Sequence, residues 1–66
     1  MNLLIKALQA RYESEVKAAS ANIDVYLTHP VGIGEHPDIV SAVDSEVRKL
    51  AEAEDKLSTL LDYYSD

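Results

Sequence analysis

All the residues that most disfavour a helix lie in one short segment of this chain. Pro30, Gly32, Gly34 and Pro37 fall near the middle of 66 residues, and neither proline nor glycine occurs anywhere else. Proline cannot donate a backbone hydrogen bond within a helix, and glycine loses more conformational entropy there than any other residue. The sequence therefore predicts two uninterrupted helical segments joined by a single turn.

The segment before the turn has the periodicity of a helix. We predict a first helix from Asn2 to Leu27, with Asn2 as its N-cap and with His29, before Pro30, beyond its end. Its apolar residues recur at steps of three or four and are Ile5, Leu8, Tyr12, Val16, Ala19, Ile23 and Tyr26.

The segment after the turn repeats an apolar pattern at alternating steps of three and four. We predict a second helix from Pro37 to Tyr64, with Pro37 at its first position and His36 or Glu35 at its cap. Glu54 is the one polar residue in a line that resembles a coiled-coil seam. The apolar members of that line are Val40, Val43, Val47, Leu50, Leu57, Leu61 and Tyr64.

The fold class predicted is all-α, a single antiparallel two-helix hairpin over residues 1–66 with its turn at residues 28–36. Val31 and Ile33 are expected to close the end of the hairpin at the turn. If the chain folds back at Gly32, paired residues have numbers that sum to about 64. That register places Tyr26 by Ile39, Ala19 by Val43 or Val47, Leu8 by Leu57, and Ile5 by Leu60 or Leu61.

A two-helix hairpin buries only one seam, and this chain has apolar residues to spare. Below about 70 residues a single core rarely supplies more than about 3–5 kcal/mol of net stability. We therefore predict a homodimer of hairpins that forms a four-helix bundle. The residues expected at helix contacts or at this interface are Leu4, Leu8, Tyr12, Ile23, Tyr26, Ile39, Val43, Val47, Leu57, Leu60, Leu61 and Tyr64.

No catalytic or cofactor-binding constellation is recognised, so no enzyme and no cofactor are predicted. The chain has no cysteine, and Gly32-Ile33-Gly34 lacks the third glycine and the strand of a dinucleotide fingerprint. Glu15 and Glu54 resemble an acid–base pair, but the register places Glu15 by Lys49 and Glu54 near Arg11 and Tyr12, as ordinary ion or hydrogen-bond pairs.

A metal site near the turn is a second possibility that the sequence leaves open. His29, Glu35, His36 and Asp38 lie close together, but their spacing matches no established ligand pattern. The simpler interpretation is that these residues cap the two helices, and no metal is predicted.

The net charge and the hydropathy of the chain limit the kinds of partner that it is expected to bind. The net charge is −6, and nine acidic residues against three basic ones lie beyond Leu27, so nucleic acid should be repelled. No segment approaches the ~20 apolar residues of a membrane span, and we expect a cytoplasmic protein. The partner predicted is the chain itself, with a further protein partner at the adjacent Tyr63 and Tyr64.

An alternative function follows from the acidic residues of the second helix. Asp44, Glu46, Glu52 and Asp55 are expected on one outer face, where they could imitate nucleic acid and occupy a host nucleic-acid-binding protein. The simpler interpretation of such a face is a solvated surface.

The turn and the start of the second helix carry a resemblance. The stretch from Pro30 to Asp38, PVGIGEHPD, and more broadly residues 22–62, resemble short uncharacterised proteins of tailed phages that infect marine cyanobacteria and other marine bacteria. The resemblance implies a phage accessory protein made in an infected host cell, and it implies no site residue.

Overall fold

The protein is an antiparallel pair of long helices, as predicted. The computed structural model describes residues 2–29 and 38–65. Helix α1 spans Leu3–Thr28 and helix α2 spans Ile39–Tyr64, each with 26 residues, and the two pack against each other along their length. The all-α hairpin is therefore confirmed, and within the described ranges no strand is present.

Helix α1 is capped at both ends by the residues that the sequence indicated. The Asn2 side-chain oxygen accepts a hydrogen bond from the Ile5 amide at 2.9 Å. At the other end, the His29 amide donates to the Val25 carbonyl at 2.8 Å, and the Thr28 hydroxyl donates to the Asp24 carbonyl at 2.7 Å. These contacts satisfy backbone groups that the helix itself leaves unpaired.

Helix α2 begins later than predicted, and a different residue caps it. The N-cap is Asp38, whose carboxylate accepts from the Ser41 amide at 2.9 Å and from the Ser41 hydroxyl at 2.8 Å. The prediction of Pro37 as the first helical residue, with His36 or Glu35 as its cap, was wrong. A carboxylate three residues before Ser41 is a better acceptor for the free amides than either alternative. The predicted turn with Gly32 and Gly34 lies outside the described residues.

The apolar stripe of α1 faces α2 as predicted. All seven of its residues are at least half-buried, and Ala19 is the most buried of them at 3% exposure. The spacing of three and four residues was therefore a sufficient guide to the packed face of this helix.

The packed face of α2 is rotated from the predicted one. Its most buried residues are Ala53, at 2% exposure, and Leu60, at 7%. They lie seven residues apart in an inner line that is made up of Ile39, Glu46, Ala53 and Leu60. The predicted seam combined two lines. Val40, Val47, Glu54 and Leu61 follow the inner line by one residue and hence by a rotation of about 100°. The other line was Val43, Leu50, Leu57 and Tyr64, of which the first three are half-buried as predicted.

The helix register also differs from the predicted one. The Asn22 side chain donates to Glu46 at 3.3 Å, and the Lys56 ammonium lies 5.3 Å from the centre of the Tyr12 ring. The residue numbers sum to 68 in both contacts rather than to about 64. A difference of four residue numbers corresponds to a shift of about one helical turn along the helix axis.

Candidate interaction surface

Helix α2 carries two parallel lines of residues, and the hairpin buries only one of them. The inner line lies against α1, whereas the outer line, Val40, Val47, Glu54 and Leu61, lies to one side. Val40 is 81% exposed, Val47 is 46% exposed and Glu54 is exposed, while Leu61 is half-buried. Between the two lines, Val43, Leu50 and Leu57 are half-buried. We call the outer line together with Val43, Leu50, Leu57 and Tyr64 the apolar face.

The apolar face has the spacing of a coiled-coil seam. Its residues alternate by three and four over the whole of α2, which is the pattern that lets one helix pack its side chains between those of another. Helical geometry also places Leu27 of α1, which is 68% exposed, on the same side of the hairpin. A second helix laid along α2 would cover these side chains.

The opposite side of the hairpin is a polar groove. It has a volume of about 390 Å³ and is lined mainly by Glu15, Asn22, Glu46, Lys49, Glu52 and Lys56, with alanines at its floor. Glu46 is the least exposed of the charged groups, with 13% of its side chain accessible, and it accepts hydrogen bonds from Asn22 and from Lys49, each at 3.3 Å. Lys56 lies 3.8 Å from Glu52.

Several charged residues of the groove pair with one another. Two of its carboxylates, Glu46 and Glu52, lie beside the ammonium groups of Lys49 and Lys56. Within residues 2–29 and 38–65 no buried side-chain nitrogen or oxygen lacks a hydrogen-bond partner. Exposed ion pairs such as that of Glu52 with Lys56 contribute little to stability. The hydrogen bond from Asn22 to Glu46 joins α1 to α2 across the groove.

The two carboxylates that resembled an acid–base pair lie on opposite sides of the molecule. Glu15 lines the polar groove together with Lys49, but the ion pair that Lys49 makes is with Glu46 and not with Glu15 as predicted. Glu54 is exposed on the apolar face and makes no hydrogen bond or ion pair in the described part of the chain. Its predicted place by Tyr12 is taken by Lys56. The two carboxylates therefore cannot act on one substrate.

The predicted acidic outer face is only partly assembled. Asp44, Glu52 and Asp55 are exposed, and the first two lie 3.7 Å from Arg48 and 3.8 Å from Lys56. Glu46 lies between the helices, contrary to the prediction, because Asn22 and Lys49 supply its hydrogen bonds there.

A second group of exposed apolar residues lies at the end of the hairpin that carries the chain termini. Leu3 is 83% exposed, Leu4 69%, Tyr63 77% and Tyr64 62%. The two tyrosine rings are tilted by 53° with their centres 6.4 Å apart. The sequence predicted that one of the two tyrosines would not pack against the other helix of the hairpin. In the hairpin both tyrosines are exposed.

The residues predicted for helix contacts or for the interface fall into three groups. Leu60 is buried. The half-buried ones are Leu8, Tyr12, Ile23, Tyr26, Ile39, Val43, Leu57 and Leu61, and the exposed ones are Leu4, Val47 and Tyr64. Sequence reasoning did not select Val40 for the interface, although its place in the heptad line was a signal for it.

Metal and membrane sites were also considered. Across the described ranges no three acidic or histidine side chains are grouped closely enough to hold a metal ion, and Glu35 and His36 of the possible loop site lie outside those ranges. Neither α1 nor α2 combines the length and the hydropathy needed to cross a membrane. Comparison with protein-family models, curated proteins and solved structures finds no match to this chain.

Proposed function

We propose that this protein has no enzymatic activity and acts through self-association and contact with other proteins, as a dimer of hairpins that forms a four-helix bundle. The observation that carries the proposal is the apolar face, a heptad pattern along α2 that only Glu54 interrupts and whose outer line includes Val40 at 81% and Val47 at 46% exposure. Burying apolar side chains with this spacing against another helix removes them from water and therefore stabilises the assembly.

The surface area of a single hairpin supports this proposal. The chain exposes 4948 Å², whereas a globular protein of its mass, 7.3 kDa, exposes roughly 4,200 Å². The difference of roughly 750 Å² is close to the ~800 Å² that each partner buries in a protein–protein interface of standard size. The described core of one hairpin is also small, because its buried residues are two alanines and one leucine.

A second copy is the partner that this geometry favours. A twofold axis lets one apolar face cover an identical one, so the chain needs no other protein to bury its surface. Two hairpins that meet in this way form a four-helix bundle. Tyr63, which is 77% exposed and lies outside the apolar face, then remains available for a further protein.

The biological setting is proposed from the resemblance of the turn. Similarity to short phage proteins suggests an accessory protein that works in the cytoplasm of an infected host cell, where its second partner would be a host or phage protein. The acidic decoy is the alternative. It has less support because Glu46, one of its four carboxylates, lies between the helices.

The first test is the solution mass across a concentration series, with helicity measured on the same samples. We expect a mass of twice 7.3 kDa at high concentration, with dissociation and some loss of helicity on dilution. The double variant Val40→Ser/Val47→Ser should be monomeric at concentrations where the parent chain is a dimer.

The matched control is Leu3→Ser, which removes an equally exposed apolar side chain that lies off the apolar face. It should leave the mass unchanged. A parent chain that remains a folded monomer at high micromolar concentration would contradict the proposal, and so would equal weakening by Leu3→Ser and by the double variant.

A further inference from the structure

We propose that the two copies pack α2 against α2 in antiparallel orientation, about a twofold axis level with position 52, and that Glu54 selects this orientation. The inference rests on the proposed dimer and adds its geometry. It starts from one fact: Glu54 is the only charged residue of the apolar face, and in the hairpin it has no hydrogen-bond or ion-pair partner within the described residues.

The heptad pattern fixes which residues would meet. The apolar face has two kinds of seam position: the outer line, and the line of Val43, Leu50, Leu57 and Tyr64 beside it. In an antiparallel pair, each residue of the outer line packs against a residue of the other line in the second copy. Centred on position 52, the layers are Val40 with Tyr64, Val43 with Leu61, Val47 with Leu57, and Leu50 with Glu54. All the apolar residues of the face are covered in this arrangement.

Parallel packing is opposed by charge. About a twofold axis parallel to the helices, each residue meets its own copy, so Glu54 would face a second Glu54 across an apolar seam. Two carboxylates brought together in a region of low dielectric repel each other, and neither gains a cation. Arg48 of the second copy would lie about 9 Å further along the axis.

Antiparallel packing provides Glu54 with a cation. Arg48 of the second copy then lies only about 3 Å from the level of Glu54 along the axis. In the hairpin, Arg48 has 73% of its side chain exposed and makes only a long contact of 3.7 Å with Asp44. Such an exposed pair is weak, so the guanidinium is free to turn along the edge of the seam towards Glu54.

The test uses chemical cross-linking, for which the absence of cysteine is an advantage. Single cysteines would replace Asp44, Ala51 or Ser58, which are exposed along one edge of the apolar face. A short bifunctional maleimide would then be added to the dimer. In the antiparallel pair, two copies of position 51 lie about 3 Å apart along the axis, whereas two copies of position 58 lie about 18 Å apart.

We expect Ala51→Cys to cross-link with itself and Ser58→Cys not to do so. A mixture of Ser58→Cys with Asp44→Cys should cross-link, because these positions face each other about 3 Å apart along the axis. Self-cross-linking of Ser58→Cys as efficient as that of Ala51→Cys would overturn the antiparallel pair centred on position 52. A dimer in which Ala51→Cys does not cross-link has either parallel α2 helices, which place the two copies of position 51 on opposite edges of the seam, or α2 against α1 of the second copy. Both results would overturn the inference.

The role of Glu54 is tested by Glu54→Leu, with Asp55→Leu as the matched control. Glu54→Leu should lower the dissociation constant about tenfold or more and reduce the self-cross-linking of Ala51→Cys, since the charge that opposes parallel packing is gone. Asp55→Leu adds the same apolar side chain next to the face and should do neither. Unchanged affinity and orientation in Glu54→Leu would refute the selection by Glu54, whereas a monomeric parent chain would refute the proposed dimer itself.

Discussion

Asp38 holds the first turn of α2 through two contacts with one residue. Its carboxylate accepts hydrogen bonds from the amide and the hydroxyl of Ser41, at 2.9 and 2.8 Å. We expect Asp38→Ala to lower the free energy of unfolding by about 1 kcal/mol, since it leaves helix amides without their acceptor. Urea denaturation at one fixed protein concentration would measure the loss, because association also contributes to the stability of the chain.

Two further variants separate the cap from the charge of Asp38. Asp38→Asn keeps an acceptor at the same place and should retain most of the stability. Asp44→Ala removes a carboxylate that is 72% exposed and weakly paired with Arg48, and its effect should remain within about 0.5 kcal/mol. Equal losses in Asp38→Asn and Asp38→Ala would argue against the capping role.

Single residues explain why one helix start could be predicted and the other could not. Asn2 is the only good capping residue before the periodic segment of α1, so the sequence identified it. Before α2, Pro37 is well suited to the first position of a helix and therefore competed with Asp38 as a marker of the start. Asp38 caps the helix because it accepts hydrogen bonds from Ser41, and the periodicity of the apolar residues gives no information about these contacts.

At the scale of helices, two alanines allow α1 and α2 to approach closely. Ala19 and Ala53 are 3% and 2% exposed and have only a methyl group each. We expect Ala19→Leu to reduce the free energy of unfolding by about 1–3 kcal/mol, because the larger side chain must push the helices apart. Thermal or urea unfolding followed by circular dichroism would measure this change.

The control for that change is Ala21→Leu on the same helix. Ala21 is exposed, so a leucine there should alter the stability by no more than about 0.5 kcal/mol. If both variants lose the same amount, the helices are not in close contact at Ala19.

The packed face of α1 could be predicted from the sequence, whereas that of α2 could not. In α1 only one line of residues is continuously apolar. In α2 two adjacent lines compete, and the more apolar one, with Val40 and Val47, was predicted to lie inside. The line that packs against α1 contains Glu46, which is half-buried because Asn22 and Lys49 donate hydrogen bonds to it. The contact with Asn22 could be predicted only if the register of the two helices were already known.

At the scale of the whole molecule, charge opposes the assembly that the apolar face favours. Each chain has a net charge of −6, so two copies repel each other as they meet. The chain measures 15 × 14 Å across its long axis, which is less than the ~30 Å Debye length at ~0.01 M salt. At low salt, therefore, nearly all the charges of one copy interact with those of the other.

Salt should therefore strengthen the dimer. Raising the ionic strength from ~0.01 M to ~0.15 M shortens the Debye length to ~8 Å, and we expect the dissociation constant to fall about threefold or more. Sedimentation equilibrium at the two salt concentrations would measure it. An acidic decoy would behave in the opposite way towards a basic partner, because screening weakens attraction between unlike charges. A dimer that weakens with salt would mean that ion pairs between copies, such as Glu54 with Arg48, outweigh the repulsion of the net charges.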